Sequence, residues 1–377
     1  MIHRLNENVC RLKPSGIRRF TQLARQTEGC ILLTIGEPDF NTPENIKTAA
    51  KMALDNNRTH YPANPGDADV RTAIAAFEKR KRGLSYDPEE IIVTCGATEA
   101  IFTAMTGVLN PGDEVIIPQP AFGLYESIAT LCGAQVVPLD TAKTGFQIDP
   151  AALESCITDK TKLLILNSPN NPTGVAYNQD TLDGIRQVLE KHEIFVLCDD
   201  VYLGLTYGPC PFFAAFESFR DRLLVVQSFS KPYAMTGWRL GYLMANQPVV
   251  DHLKLVHAFS VVSVAAYAQD ACIEALRTDV SEMVDIYRTR RDLICSRLRG
   301  MGLDFIEPDG AFYVFPSIEK YGMVCEEFCL RMIQEGRIAA VPGSCFGSDG
   351  HIRLSFCYST EEITRGMDRL EAFLQKL

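Results

Sequence analysis

The chain has 377 residues, 46% of them hydrophobic and 22% charged, with a formal net charge of −10. This composition predicts a soluble enzyme with a large α/β domain and a smaller second one, and the acidic balance disfavours nucleic-acid or anionic membrane partners. No apolar run has spanning length, and residues 1–20 carry Asn, Glu and Arg where a secretory leader needs its apolar core, so a cytoplasmic protein is expected.

Residues 11–27 read as an arm leading into a helix, and the apolar run 31–35 as a short strand. Gly36-Glu37-Pro38-Asp39-Phe40 stops that strand, as a plain turn or as a place where Gly36 lets backbone approach a ligand. Thr42 and Pro43 predict a helix start, with Thr42 as the cap and Pro43 in the first helical position. Residues 60–66, with Tyr61, form a loop without periodicity, and 67–80 return to a helical pattern.

A strand at 91–94 turns at Cys95-Gly96-Ala97-Thr98 into a helix. Free amides at Ala97 and Thr98 and the helix dipole suit a phosphate, although a plain strand-to-helix turn reads equally well and no dinucleotide or Walker fingerprint is present. The strand at 114–117 exits into a Pro-bounded loop holding Phe122, either a core aromatic or the cover of a flat ring. The strand at 161–166 ends in a polar turn with Asn171, a candidate donor to a ligand. The strand at 194–198 ends in Asp199-Asp200-Val201-Tyr202, and a carboxylate there needs a cation or a protonated nitrogen.

The strand at 223–226 runs into Ser228, Ser230 and Lys231, followed by Gly237 and Arg239. A lone lysine in that position would snorkel to water. Among hydroxyls and beside an arginine, Lys231 reads instead as a reactive amine able to condense with a carbonyl. Helical patterns occupy 248–275 and 281–298, and a compositional change near residue 280 suggests a second domain. Within it, 310–315 alternates as a strand. Arg353 alternates with apolar neighbours at 351–356, where its fork suits a carboxylate or an internal salt bridge. The thirteen cysteines are scattered, with no C-x-x-C or zinc spacing. They read as reduced, buried small hydrophobes, Cys95, Cys132 and Cys198 among them, with no metal site.

Strands alternate with helices from about residue 90 to 240, which predicts a mostly parallel sheet with helices on both faces. Ligands of such sheets sit outside the carboxyl ends of the strands, where all these polar clusters fall. Together they offer a phosphate cradle, an aromatic plate, an amide, a carboxylate and a lysine, which are the needs of pyridoxal 5′-phosphate.

The chain resembles the fold-type I, class I/II pyridoxal-phosphate aminotransferases along nearly its full length. The matching motifs are GEPDF, Tyr61 with Gly66, NNPTG, D-D-V-Y, S-F-S-K, GWRLGY and HIRLSF. Within the family it is most similar to the aspartate/aromatic group and the N-acetyl-diaminopimelate aminotransferases, through PSGIRRF, MTGWRLGY and PDGAFYVFPSI. The resemblance implies a seven-stranded sheet in a large domain at 45–280, an arm with part of the small domain at 1–44, and a small α+β domain at 281–377.

It also implies a role for each residue. Lys231 is the Schiff-base lysine and proton shuttle, Asp199 pairs with the pyridine nitrogen, and Asn171 and Tyr202 bond the ring hydroxyl oxygen. Phe122 stacks on the ring, while Ala97, Thr98, Ser228 and Arg239 hold the phosphate. Arg353, Asn171 and the Gly36 amide bind the substrate carboxylate. Tyr61 reaches the phosphate of a neighbouring subunit, which implies a homodimer with shared sites. Two departures stand out: Phe122 replaces the Trp of many aspartate enzymes, and PANPG follows Tyr61 where TPNAG is commoner. The implied reaction moves an amino group between an L-amino acid, of the aspartate, aromatic or acetyl-diaminopimelate type, and a 2-oxo acid such as 2-oxoglutarate. A C–S β-lyase of the same fold is the alternative. A ligand-sensing regulator is disfavoured by the short N-terminus, and a nicotinamide dehydrogenase by the missing glycine fingerprint. Arg18 and Arg19 are candidates to meet a second substrate carboxylate.

Overall fold

The computed structural model describes residue 1 and residues 4–377. A short strand β1 (Ile31–Leu32) precedes the main sheet, made of β2 (Ile91–Thr94), β3 (Glu114–Gln119), β4 (Gln135–Asp140), β5 (Thr161–Asn167), β6 (Phe195–Asp199), β7 (Leu223–Ser228) and β8 (Gly241–Ala245). Their order is β2-β8-β7-β6-β5-β3-β4, and only β8 runs against the rest. This is the mostly parallel, seven-stranded α/β sheet that the alternation and the resemblance imply. Every residue of β2, β7 and β8 is buried, because helices cover both faces.

The two faces are built by side-chain alternation. Leu197, Leu224, Val226 and Leu243 join one apolar layer, and Val196, Cys198, Val225 and Met244 join the other. Each such side chain contributes about 1.5–3 kcal/mol by leaving water. The first layer continues into the C-terminal elements through Phe312 and Leu354. There, β9 (Tyr313–Val314), β11 (Val341–Pro342) and β12 (Ile352–Ser355) form an antiparallel sheet, and β10 (Ile338–Ala339) pairs in parallel with β1. Residues 31–33 are thereby tied to the C-terminal part, since Leu33 also bonds Ala339 and Ser355 through its backbone.

Several local expectations need correction. Thr42 does not cap the helix Glu44–Asp55. Its hydroxyl finds a tertiary acceptor, the Ala234 carbonyl at 2.6 Å, and Pro43 takes the cap position. The helical stretch at 248–275 is two helices, Gln247–Val261 and Ala266–Ala275, because Val262 turns the chain at a φ of 67°. The strand at 310–315 shortens to β9, since the amides of Gly310 and Ala311 are taken by the Gly174 and Leu205 carbonyls. All thirteen cysteines are free, but Cys95 and Cys132 are only partly buried, Cys95 at a strand-to-helix turn and Cys132 at a helix end, whereas Cys198 is buried in β6. Among the described residues no helix is long and apolar enough to cross a membrane.

Candidate active site

The parallel strands deliver their last residues to one edge, where a cavity of about 260 Å³ opens. Asp199, at the end of β6, is 4% exposed. Its Oδ2 accepts from the Tyr125 hydroxyl at 2.5 Å, while Oδ1 has no hydrogen-bond partner. Burial raises its pKa to about 6, against the lowering effects of the Tyr125 bond, the Val201 amide and the charge of Lys231. The carboxylate is therefore ionised at neutral pH with one oxygen free, an arrangement that suits a cationic partner.

Lys231 follows β7, and its Nζ donates to the Gly36 carbonyl at 2.7 Å. Burial lowers its pKa to about 8, with the nearby Glu37 charge opposing and those of Arg353 and Arg239 adding. A lysine amine is thus substantially neutral only a little above physiological pH, which is what a nucleophilic or proton-accepting amine requires. Gly36 must be glycine, because a Cβ there would run into the Tyr313 hydroxyl. Its loop is anchored from behind: Asp39 takes both Arg290 guanidinium nitrogens, each at 2.7 Å.

Arg353, on β12, is 2% exposed. It donates to Asn171 Oδ1 at 2.8 Å and to the Thr34 carbonyl at 2.5 Å, and its Nε has no partner. Its guanidinium lies 4.5 Å from the Tyr313 ring centre and 5.0 Å from that of Phe346. The plain alternative, an internal salt bridge, is absent among the described residues: its polar partners here are neutral oxygens, so the charge is available to an anion. Asn171 is set by its neighbour Asn167, whose Oδ1 accepts the Asn171 amide and whose Nδ2 donates to the Asp199 carbonyl, both at 2.9 Å.

The anion end is formed at the N-terminus of the helix Gly96–Val108. Ala97 and Thr98 line the cavity there, and the helix leaves its first amides free. Arg239 has a φ of 56°, an uncommon conformation for a non-glycine residue, and its guanidinium lies over Gly96. Gly96 itself has a φ of +77°, and a Cβ on it would stand 2.6 Å from Arg239 Nη2. Ser228 Oγ accepts the Ser230 amide at 3.1 Å. Phe122 meets Tyr125 edge-on, with ring centres 6.2 Å apart.

The cavity thus gathers Gly36, Ala97, Thr98, Phe122, Asn171, Asp199, Tyr202, Ser228, Lys231, Arg239 and Arg353. Tyr61 is not among them; it is 88% exposed. Nor do Arg18 and Arg19 line the cavity. Arg19 instead forms a 3.4 Å ion pair with Glu326 at the surface, while Ile17 and Leu124 supply the apolar wall. Sequence reasoning missed two tyrosines. Tyr125 holds Asp199, and Tyr313 meets the Tyr202 hydroxyl at 2.9 Å. Tyr125 follows Phe122 by three residues, in the first turn of the helix Leu124–Leu131, and that proximity in sequence was the only available signal. Among the described residues no group of three or more His, Cys, Asp or Glu could hold a metal.

The donor set fits pyridoxal 5′-phosphate. An unpartnered buried carboxylate oxygen suits a protonated ring nitrogen, a helix N-terminus beside a guanidinium suits a phosphate, and an amine of lowered pKa suits an aldehyde. The family model described as aminotransferase class I and II matches residues 28–370. A Bacillus subtilis protein named "Probable N-acetyl-LL-diaminopimelate aminotransferase" is 41% identical, over 100% of this chain and 97% of its own. An aspartate aminotransferase of Pyrococcus horikoshii is 37% identical, over 98% and 97%. The solved structure of an aspartate aminotransferase from Thermus thermophilus with maleate superposes with a TM-score of 0.93 at 34% identity, over 98% of this chain and 99% of that one. With this site on this sheet, the chain belongs to the class I and II aminotransferases, in their aspartate and aromatic group.

Proposed function

We propose that this aminotransferase takes its amino group from L-amino acids with aromatic or long aliphatic side chains and passes it to a 2-oxo acid. The observation that carries this reading is the composition of the cavity wall. The cations lining it are Lys231, Arg239 and Arg353, each already engaged by the common chemistry, and the remaining surface includes Ile17, Ile101 and Leu124. The second carboxylate of a short dicarboxylic donor would meet apolar wall there and lose its hydration without a partner.

When bound, pyridoxal 5′-phosphate supplies an aldehyde carbon for an amine and a ring that accepts the electrons of a broken Cα–H bond. Lys231 would anchor the cofactor and would take and return the proton at the substrate Cα, its pKa of about 8 placing that exchange near neutral pH. Asp199 Oδ1 holds the ring nitrogen in its charged form. Arg239, Ser228 and the amides of Ala97 and Thr98 hold the phosphate, and Phe122 covers the ring. Tyr202, oriented by Tyr313, and Asn171, oriented by Asn167, hold the ring oxygen. Arg353, its fork presented by Thr34 and Asn171, holds the α-carboxylate with the Gly36 amide.

The reading includes a cytoplasmic homodimer in which Tyr61 serves the neighbouring subunit. Tyr61 is 88% and Phe259 90% exposed, and Asn64 ties the Tyr61 loop to the backbone of Val262, itself 53% exposed. Exposed apolar groups so placed suit a second copy. The lyase alternative is not favoured, since the relatives are aminotransferases.

The test is a visible spectrum of the cofactor-loaded protein as single amino acids are added without an acceptor. Loss of the visible band with one equivalent of oxo acid, at least tenfold more efficient for phenylalanine than for aspartate, is expected. Aspartate as the best donor would overturn the side-chain reading, and ammonia released over many turnovers would move the chain to the lyases.

A further inference from the structure

The sheet has a second, larger cavity, of about 630 Å³, and it is not the one that gathers the site residues. It lies against the other apolar layer, with Phe229, Tyr233 and Tyr242 in its wall. Lys231, Asp199 and Arg353 do not line it. The volume is in the range of small-molecule sites.

Its lining is cationic in an acidic protein. Arg80, Lys81, Arg82 and Arg277 border it, against a chain charge of −10. The one acidic residue on the lining, Asp279, is satisfied by the Ser281 amide at 3.0 Å and the Ser281 hydroxyl at 2.9 Å. Arg82 is held by Glu78, and Arg277 has only an exposed 4.0 Å contact with Glu274. Arg80 and Arg82 both lean on the Phe77 ring, 5.7 and 5.4 Å from its centre, and all three side chains border the cavity. Deeper in, Gln227 lines the cavity at 3% exposure, and its Nε2 donor has no hydrogen-bond partner among the described residues. Such a buried donor is unfavourable unless something accepts from it.

We propose that this rear cavity is a binding site for a small aromatic carboxylate, separate from the catalytic cavity. The carboxylate meets the arginines at the rim, the flat body lies among Phe77, Phe212 and Tyr233, and a polar ring substituent accepts from Gln227. The two cavities are near neighbours: Gln227 and Ser228 are consecutive on β7, and Ser228 lines both.

The test titrates the cofactor-loaded enzyme with 4-hydroxybenzoate, which has neither an amino nor a 2-oxo group, by calorimetry in phosphate-free buffer. The expected result is one saturable site that survives Arg353→Leu. An Arg80→Glu/Arg277→Glu variant, which changes only exposed side chains, is expected to keep turnover within twofold and to weaken this binding at least tenfold. The uncharged 4-hydroxybenzamide is expected to bind at least tenfold more weakly than the acid. The proposal is overturned if wild type shows no saturable binding up to about 10 mM, if Arg353→Leu abolishes it, or if the double variant and the amide both bind as well as wild type and the acid.

Discussion

Asp199 and Asp200 are consecutive, both buried at the end of the same strand, and they serve opposite faces of the sheet. Asp199 shares the side of Leu197 and opens on the catalytic cavity, with Tyr125 on one oxygen and the other free. Asp200 turns toward the layer of Cys198, near Arg82 and Glu78. Burial pushes its pKa well above the usual carboxylate range, and the charges of Asp199 and Glu78 add to that against the pull of Arg82. Glu78 is also raised, mainly by burial, although Arg82 and Tyr242 both bond its Oε1. Glu78 pairs with Arg82, Asp200 lies near the same guanidinium, and burial holds both carboxyls above the usual range. The difference teaches that strand parity decides whether a buried carboxyl faces the cavity or the packing behind the sheet.

The largest effect belongs to the catalytic face. Lys231→Ala is expected to lower turnover by about 10³-fold or more, with an unchanged thermal midpoint, in steady-state assays and a melting curve run together. Asp199→Asn keeps the shape and removes the charge, and should cost about 10²-fold in kcat. Arg353→Leu should raise KM for the amino donor by roughly 10–100-fold, the worth of a lost charged hydrogen-bond pair, with a smaller change in kcat. The pH dependence is gentler. The Lys231 pKa is lowered to about 8, so its amine becomes neutral on passing upward through that value. Cofactor capture by stripped protein should therefore speed up as pH rises through about 8 and level off above it, followed by the growth of visible absorbance. The smallest effect falls on the rear face. Asp200→Asn keeps the size of a buried carboxyl that does not line the catalytic cavity, so kcat should hold within about twofold and stability within about 1 kcal/mol. A loss of turnover in Asp200→Asn as deep as that of Asp199→Asn would erase the distinction between the faces.

The strand ends were legible because a buried parallel strand reads as an apolar run that stops abruptly at a polar residue, as at Asn167, Asp199 and Ser228. Two strands were not. β4 is an edge strand with exposed positions and Pro138 inside it, and β8 follows the Gly-Trp-Arg turn directly, so its apolar run merges with the segment before it. Tyr125 and Tyr313 were hidden because a tyrosine in an apolar stretch reads as core. Their partners lie 74 and 111 positions away, and local pattern carries no trace of contacts that distant. The turn at Val262 gave no warning either, since a β-branched residue is the least expected occupant of a positive φ.

The pairing of β1 with β10 has a consequence for how the molecule comes into being. Ile31 leaves the ribosome about 300 residues ahead of its partner Ile338. At ordinary elongation rates of 5–20 residues per second, that interval is roughly 15–60 s. Throughout it the 31–33 backbone has an unmatched edge, a target for holding chaperones and for stray strands. Thr34 and Gly36, which grip Arg353 and Lys231, wait on the same event. The nascent chain can complete its main sheet early, but Arg353 and Lys231 gain their Thr34 and Gly36 partners only when its two distant ends have met.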